Sequence, residues 1–288
     1  AADFRASVDR LLEQFGYLSD SGNDFSHKQW RETPDVVVQL AIAPQGSAAG
    51  RNAAGERSRP AETHLSRTVL KSRAKARRFV ALREAVSFAY TSGYALYRCI
   101  FRAVGDELVR TGHLSDRDEV FYLARDEVVA LAGDTPPAPE QIRSTVASRK
   151  ADIERCREIA VPEVIYGDEE PPARRAGETA RELTGAATSA GYYSGPVRVV
   201  RSLEEGSALQ QGEVLVITHS DVGWTLLFGR AGAVVSEAGG VLSHSSIVAR
   251  ELGIPCVVGA MGATSLPTGT RVMVDGYTGR VILEDAHE

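Results

Sequence analysis

The sequence lacks several features that would assign a protein to a class at once. It contains no run of about 18 apolar residues, so no membrane-spanning helix is expected. The three cysteines are odd in number and widely spaced, which argues against a disulfide framework or a cysteine-based metal site and predicts reduced thiols in a cytoplasmic protein. The formal net charge is −5, so there is no basic excess for binding a nucleic-acid backbone. Charges throughout residues 1–17 also argue against a signal peptide.

The N-terminal half has the spacing of long helices. With 288 residues, of which 43% are apolar, the chain is large enough for two domains. Phe79, Val86, Gly93 and Ile100 recur every seven residues, which predicts a bundle-like seam. A stretch at 44–62, rich in Gly, Ala, Ser and Arg, is expected to be a flexible loop. Residues 1–161 are therefore predicted to form a mostly α-helical domain. Its helices are expected at residues 1–16, 63–110 and 139–159.

A different pattern follows an acidic stretch with paired prolines at 162–184, which is expected to be a linker or hinge. Residues 185–288 predict a compact β/α domain, because short valine-rich runs there are bounded by glycines. The expected strands are 197–200, 214–217, 233–236, 256–259, 272–274 and 281–283, and the expected helices are 223–230 and 243–252. The predicted fold class is thus α+β and multi-domain, with a helical domain followed by a β/α domain.

The most informative stretch is 237–255, which reads Glu-Ala-Gly-Gly-Val-Leu-Ser-His-Ser-Ser-Ile-Val-Ala-Arg-Glu-Leu-Gly-Ile-Pro. Gly239 and Gly240 allow a tight turn and a close approach to a ligand. Ser243 is expected to cap a helix whose first turn contains His244. The unpaired N–H groups and the positive dipole end of that helix would stabilise an anion. Because neutral imidazole is a nucleophile near pH 7, His244 is the candidate to accept a phosphoryl group.

This stretch resembles the phosphohistidine motif of the phosphoenolpyruvate-utilising enzymes, which include phosphoenolpyruvate synthase, pyruvate phosphate dikinase and rifampin phosphotransferase. The resemblance rests on the glycine pair, the Ser-His dipeptide, the run 247–251 and the Gly-Ile-Pro at 253–255. It implies that 185–288 is a swivelling domain and that His244 carries phosphate between two distant sites. More loosely, residues 1–160 resemble the helical acceptor-side domain of rifampin-phosphotransferase-like enzymes.

Several residues near the motif are candidates to support the phosphate or its loop. They are Glu237, Gly239, Gly240, Ser243, Ser245 and Arg250, with Thr218, Ser220, Asp221 and Thr225 from the loop after an earlier strand. A helix N-cap role is the alternative for Ser220 or Asp221. Arg250 lies six residues after His244 and need not face a phosphate, so a salt bridge to Glu251 or Glu237 is its alternative.

The resemblance also implies partners. No G-x-x-x-x-G-K-[ST] loop or second nucleotide signature is present, so ATP and Mg²⁺ are expected only through a partner ATP-grasp domain or subunit that phosphorylates His244. The acceptor is expected to be a small molecule bound by the helical domain, and no nucleic-acid, membrane or metal partner is expected. Two alternatives stay open: a component like phosphoenolpyruvate synthase or pyruvate phosphate dikinase, and a non-catalytic binding or regulatory module with the same fold.

Overall fold

The computed structural model describes residues 2–22, 24–42, 66–133, 135–156 and 181–284. The chain forms two compact units, of which the first comprises Ala1–Tyr94 with Thr179–Glu288 and the second comprises Ala95–Glu178. Helices occur in both units, and one mixed sheet lies in the first. The predicted α+β fold class is therefore confirmed.

The helices that precede the sheet include the three predicted ones, at closely similar bounds. They are α1 (Ala2–Phe15), α2 (Pro34–Ile42), α3 (Arg67–Arg110), α4 (Arg125–Leu131) and α5 (Pro139–Cys156), with a 3₁₀ helix at Arg117–Tyr122. The 44 residues of α3 form one helix without a break, and the boundary between the two units falls within it. The predicted flexible loop 44–62 lies outside the described residues, as does most of the predicted linker 162–184.

The predicted seam on α3 is exposed in the structure. The side chains of Phe79, Val86 and Ile100 are 59%, 67% and 58% accessible. Seven-residue spacing identifies an apolar helix face, but burial of that face needs a second element packed against it. The seam therefore marks α3 correctly as a helix without forming part of the described core.

The second unit has a small core of its own. It consists of Leu108, Leu114, Val120, Ile142 and Val146, contributed by α3, the 3₁₀ helix, α5 and their connections. A capping box opens the 3₁₀ helix, with the side chain of Asp116 accepting from a backbone N–H and that of Glu119 reaching back to the cap. These contacts fix the polar turn between α3 and α5.

The sheet of the first unit has eight strands. Their bounds are β1 (Glu182–Thr184), β2 (Ala186–Ser189), β3 (Tyr192–Val199), β4 (Val214–Ile217), β5 (Ala233–Ser236), β6 (Cys256–Val258), β7 (Arg271–Asp275) and β8 (Arg280–Leu283). The spatial order is β1-β8-β7-β3-β4-β5-β6-β2. Strands β3 to β6 are parallel and the outer pairs antiparallel. Buried valines and alanines of β3 to β8 form the core, as the valine-rich runs predict.

Two strands were not predicted, β1 and β2. Strand β1 falls at the end of the predicted linker, and its residues are only partly buried. Strand β2 is half exposed and contains a register shift between Ala187 and Ser189. Both are short edge strands, so neither has the continuous apolar run of a central strand.

The N-terminal residues share a unit with the sheet. Residues 16–33, called here the N-terminal loop, bury Tyr17, Leu18 and Trp30. The loop is closed on itself by a backbone hydrogen bond from Trp30 N–H to the Leu18 carbonyl at 2.8 Å. The sequence-based domains 1–161 and 185–288 remain a prediction. The structure groups the N-terminal loop with 185–288, because the loop hydrogen-bonds to the segments around residues 203 and 221–224.

Candidate functional site

Two loops meet at one edge of the parallel strands. Strands β4 and β5 are neighbours and run in the same direction, with Ile217 paired to Ser236 at their carboxyl ends. The chain leaves β4 into residues 218–221 and leaves β5 into residues 237–243, so both loops lie at the same edge. In open parallel sheets this edge is where ligands bind.

The loop 237–243 is shaped by its first glycine. Gly239 has a φ of +123°, a backbone conformation that L side chains rarely adopt. A Cβ at Gly239 would lie 3.0 Å from the Ser243 Oγ. The Ser246 Oγ donates to the Gly240 carbonyl at 2.8 Å, which anchors the loop to the helix that follows. The turn therefore needs glycine at 239, as the sequence predicts.

His244 is the first residue of helix α7 (His244–Leu252), and Ser243 is its N-cap, as predicted. The Ser243 side chain accepts from the Ser246 backbone N–H. The cap satisfies one of the unpaired first-turn donors, and the helix dipole is positive at this end. The imidazole is thus held where an added negative charge is favoured.

The imidazole itself contacts helix α6 (Thr225–Phe228). Its Nε2 lies 2.9 Å from the Thr225 Oγ1, and the Phe228 ring meets it edge-on with 6.5 Å between ring centroids. The Thr225 hydroxyl has a single proton, which it donates to the Val222 carbonyl at 2.8 Å. The arrangement that satisfies both contacts of this hydroxyl has Nε2–H donating to Thr225, which places the ring proton on Nε2 and the lone pair on Nδ1.

The serines around the helix start form hydroxyl pairs. The Ser220 Oγ lies 2.5 Å from the Ser245 Oγ, and the Ser243 Oγ lies 3.0 Å from the Ser246 Oγ. Ser245 and Ser246 are buried, whereas Ser220 is half-buried. These contacts tie the loop after β4 to the first turn of α7, so Ser220 belongs to the site.

Arg250 and Glu237 hold the scaffold around the site. The Arg250 guanidinium donates to the Val241 carbonyl at 2.7 Å, which braces the 237–243 loop from the far end of α7. Glu237 is buried, and its Oε1 accepts from the backbone N–H and the hydroxyl of Thr264, at 2.9 Å and 2.8 Å. Neither side chain is placed beside the imidazole by these contacts.

Thr218 and Asp221 contribute in different ways. The Thr218 carbonyl accepts from the Ala238 N–H at 2.8 Å, so its backbone joins the two loops. Asp221 is the N-cap of the 3₁₀ helix Val222–Trp224, since its Oδ1 accepts from the Val222 N–H at 2.8 Å. Asp221 was considered as a support for the phosphate loop or as a helix N-cap, and these contacts give it the N-cap role.

Sequence reasoning missed the contribution of the N-terminal loop. Asp221 Oδ2 accepts from the Gly22 N–H at 2.7 Å, and the Trp224 indole N–H donates to the Asp20 carbonyl at 2.9 Å. These pairs are about two hundred residues apart in the chain, and no periodicity or motif marks them. The close approach at Gly22, where a Cβ would lie 2.6 Å from Asp221 Oδ2, is visible only in the structure.

The arrangement as a whole suits nucleophilic phosphoryl chemistry at His244. An imidazole lies at a helix N-terminus, with hydroxyls of Thr225, Ser220 and Ser245 in the surrounding segments. Among the described residues, no group of three or more His, Cys, Asp or Glu side chains is placed to hold a metal ion. Within those same ranges, no helix is long and apolar enough to cross a bilayer.

Comparison with known proteins gives matches over this region and beyond it. Residues 209–279 match the family described as PEP-utilising enzyme, mobile domain, where PEP is phosphoenolpyruvate. A rifampicin phosphotransferase of a Streptomyces species is 30% identical over 313 residues, which cover 98% of this chain and 35% of that protein. An uncharacterised protein of Mycobacterium tuberculosis is 42% identical over 198 residues, which cover 66% of this chain and 22% of that protein.

Among solved structures, an NMR structure of Enzyme I has 33% sequence identity, with a TM-score of 0.26 over 28% of this chain and 34% of that one. The chain spans about a third or less of the length of the curated relatives described here. The match at 209–279 contains His244, its glycine loop and the segment with Thr225. The chain thus carries the mobile domain of the PEP-utilising enzymes and is similar to rifampicin phosphotransferases along most of its length.

Proposed function

We propose that the chain is the phosphohistidine-carrier part of an ATP-dependent phosphotransferase. In this function His244 is transiently phosphorylated and passes the group to a small-molecule acceptor. The observation that carries the proposal is the position of His244 at the N-terminus of α7, on a glycine loop within the matched mobile domain. The name of the Streptomyces relative, rifampicin phosphotransferase, supports a small-molecule acceptor.

The first step is attack by an imidazole nitrogen on a phosphorus of ATP. A P–N bond forms, the P–O bond from that phosphorus to the departing nucleotide breaks, and the leaving oxygen keeps the electron pair. The proton on the other ring nitrogen leaves to solvent. Positioning and charge stabilisation supply most of the catalysis in such transfers. The helix N-terminus contributes by favouring the negative charge that arrives on the imidazole.

The second step moves the phosphoryl group to the acceptor. An acceptor oxygen attacks phosphorus, a P–O bond forms, and the P–N bond breaks with its electron pair returning to the imidazole. The acceptor's proton leaves to solvent. ATP and Mg²⁺ enter through an ATP-grasp domain or subunit, and the helical residues 1–161 hold the acceptor.

The test is the intact mass of the 288-residue chain after incubation with ATP, Mg²⁺ and an ATP-grasp domain from a rifampicin phosphotransferase. Samples are kept at neutral to alkaline pH, because phosphohistidine is acid-labile. One added phosphoryl group is expected in the wild-type chain and in His113→Ala, and none in His244→Ala. His113 is a matched control because it lies in the second unit, where its Nδ1 contacts Thr111.

The outcomes separate the candidate functions. Phosphorylation of wild type and His113→Ala, with none in His244→Ala, supports the carrier. Phosphorylation by phosphoenolpyruvate in place of ATP supports a component like phosphoenolpyruvate synthase. No phosphorylation by either donor would refute the carrier and favour a binding module, provided that the relative's own carrier domain is modified in the same assay.

A further inference from the structure

One carboxylate joins the N-terminal loop to the segment that holds His244. The Oδ2 of Asp221 accepts from the Gly22 N–H at 2.7 Å, and its Oδ1 accepts from the Val222 N–H at 2.8 Å. The two donors belong to segments far apart in the sequence. A carboxylate that accepts from both fixes the distance between them, and charge-assisted hydrogen bonds of this kind are among the stronger ones in proteins.

The same two segments are joined around this carboxylate. The Asp20 carbonyl accepts from the Trp224 indole N–H at 2.9 Å, and the Asp20 Oδ2 accepts from the Leu203 N–H at 3.3 Å. Trp224 is 2% exposed, and a Cβ at Gly223 would lie 2.8 Å from the Ser19 carbonyl oxygen. The N-terminal loop and the 3₁₀ helix Val222–Trp224 are therefore in close contact along the whole turn.

The 3₁₀ helix continues directly into the residue that contacts the imidazole. Thr225 is both the C-cap of that 3₁₀ helix and the first residue of α6. Its backbone N–H and its hydroxyl both donate to the Val222 carbonyl, and its Oγ1 meets the His244 Nε2. The position of the Thr225 hydroxyl thus depends on the geometry of the turn that Asp221 caps.

We propose that Asp221 is a positioning residue through which the N-terminal loop controls the tautomer of His244. With the loop bound, Asp221 holds the 3₁₀ turn, and the Thr225 hydroxyl accepts Nε2–H. With the loop released, Asp221 loses one of its two N–H partners, the turn relaxes, and the imidazole loses the acceptor that selects its tautomer. The consequence for phosphoryl transfer rests on the proposed function of His244, whereas the coupling itself does not.

The test compares Asp221→Asn with Asp275→Asn in the full chain. An Asn side chain has one carbonyl oxygen and an amide that only donates, so it keeps an acceptor at one of the two oxygen positions and places N–H groups against a backbone N–H at the other. Asp275 is the control, because both of its oxygens also accept: Oδ1 accepts from the N–H groups of Tyr277 and Thr278, and Oδ2 accepts from the Thr278 hydroxyl. It lies at the opposite edge of the sheet, where it pairs with the start of β3.

Two quantities are measured on the unphosphorylated protein. Hydrogen–deuterium exchange reports the N-terminal loop, and ¹⁵N chemical shifts of the His244 ring report its tautomer ratio. Asp221→Asn is expected to increase exchange in residues 17–24 and to shift the tautomer ratio away from Nε2–H by up to about fivefold, the equivalent of one hydrogen bond. Asp275→Asn is expected to change neither.

A second variant, Gly22→Ala, disturbs the same contact through the N-terminal loop and leaves the Asp221 side chain unchanged. Its Cβ would lie 2.6 Å from Asp221 Oδ2, so the loop or the carboxylate must shift, and the bond from the Gly22 N–H to Oδ2 is disturbed while Asp221 keeps both of its oxygens. The tautomer shift is expected to have the same direction as in Asp221→Asn. Faster loop exchange without a tautomer shift would overturn the proposal, as would equal effects of Asp221→Asn and Asp275→Asn.

These measurements use no phosphoryl donor, so they are independent of the intact-mass test. A tautomer shift in a chain that is never phosphorylated would support the coupling and refute the carrier function. Phosphorylation of His244 without any tautomer shift in Asp221→Asn would support the carrier function and refute the coupling. A change in the rate of His244 phosphorylation in Asp221→Asn, with the rate of Asp275→Asn at the wild-type value, is expected where both proposals hold.

Discussion

Replacing Thr225 by Val tests which imidazole nitrogen takes the phosphoryl group. The substitution keeps the side-chain shape and removes the hydroxyl that accepts from His244 Nε2. Thr225 is exposed, so an apolar isostere there costs little stability. A neutral hydrogen bond of this kind is worth about 1 kcal/mol, or about fivefold in an equilibrium. The ratio of the Nε2–H to the Nδ1–H tautomer is therefore expected to fall by about fivefold in Thr225→Val.

The rate of phosphorylation then follows the tautomer. If the nucleophile is Nδ1, its lone pair is present in fewer molecules of the variant, and the rate falls by up to about fivefold. If the nucleophile is Nε2, the variant exposes its lone pair more often, and the rate rises. The assay combines ¹⁵N shifts of the His244 ring with the initial rate of mass gain. Thr225→Ser, which keeps a hydroxyl, serves as the control.

An unchanged tautomer ratio in Thr225→Val would refute the reasoning, because the hydroxyl would then not select the ring proton. A changed ratio with an unchanged rate would refute the kinetic step alone. In that case another event, such as donor binding, limits phosphorylation. The position of the phosphoryl group on the ring, read from the ¹⁵N shifts of the phosphorylated protein, must agree with the sign of the rate change.

Three further predictions concern the scaffold. Burial raises the pKa of the Asp20 carboxyl above its ordinary value, and the hydrogen bond from the Leu203 N–H opposes that rise. The stability that a raised folded-state pKa contributes is fully present below the unfolded pKa and is lost as pH rises through the folded pKa. Asp20→Asn is therefore expected to raise Tm at pH 7 and to raise it less at acidic pH. Glu237→Ala leaves the Thr264 donors unpaired and is expected to cost about 1–3 kcal/mol in urea unfolding. Burial lowers the pKa of Arg230, whose Nε finds no partner among the described residues, while a terminal nitrogen donates to the Gly206 carbonyl at 2.9 Å. Loss of that bond and relief of the burial cost oppose each other, so Arg230→Met is expected to change the unfolding free energy by less than about 1 kcal/mol.

Local features of the site were predictable because each depends on residues that are close together in the sequence. The glycine turn at 239, the cap at Ser243 and the helix end at Gly253 each follow from the chemistry of one or two residues. The central strands were predictable for the same reason, since buried parallel strands are continuous apolar runs. These elements place His244 without any knowledge of tertiary contacts.

Contacts between distant segments were not predictable from the same signals. Asp221 was considered as an N-cap, but its second partner at Gly22 is 199 residues away. Arg250 was considered for a phosphate or for a salt bridge, whereas its guanidinium donates to the Val241 carbonyl. Periodicity and caps describe a residue's own element, while these bonds depend on how separate elements meet. The exposed seam at Phe79 has the same cause.

The contacts at the site divide into two classes that match the demands on a phosphoryl carrier. The loop is held by the hydroxyl of the buried residue Ser246, which donates to the carbonyl of the exposed residue Gly240. The imidazole is held by the exposed hydroxyl of Thr225. A buried bond is costly to break because its partner is left unpaired, whereas water can replace an exposed one. Under the proposed function, His244 would therefore change its proton and gain a phosphoryl group while the loop that presents it stays fixed. Disruption of the Ser246 contact should unfold the loop, and disruption of the Thr225 contact should alter only the chemistry of the ring.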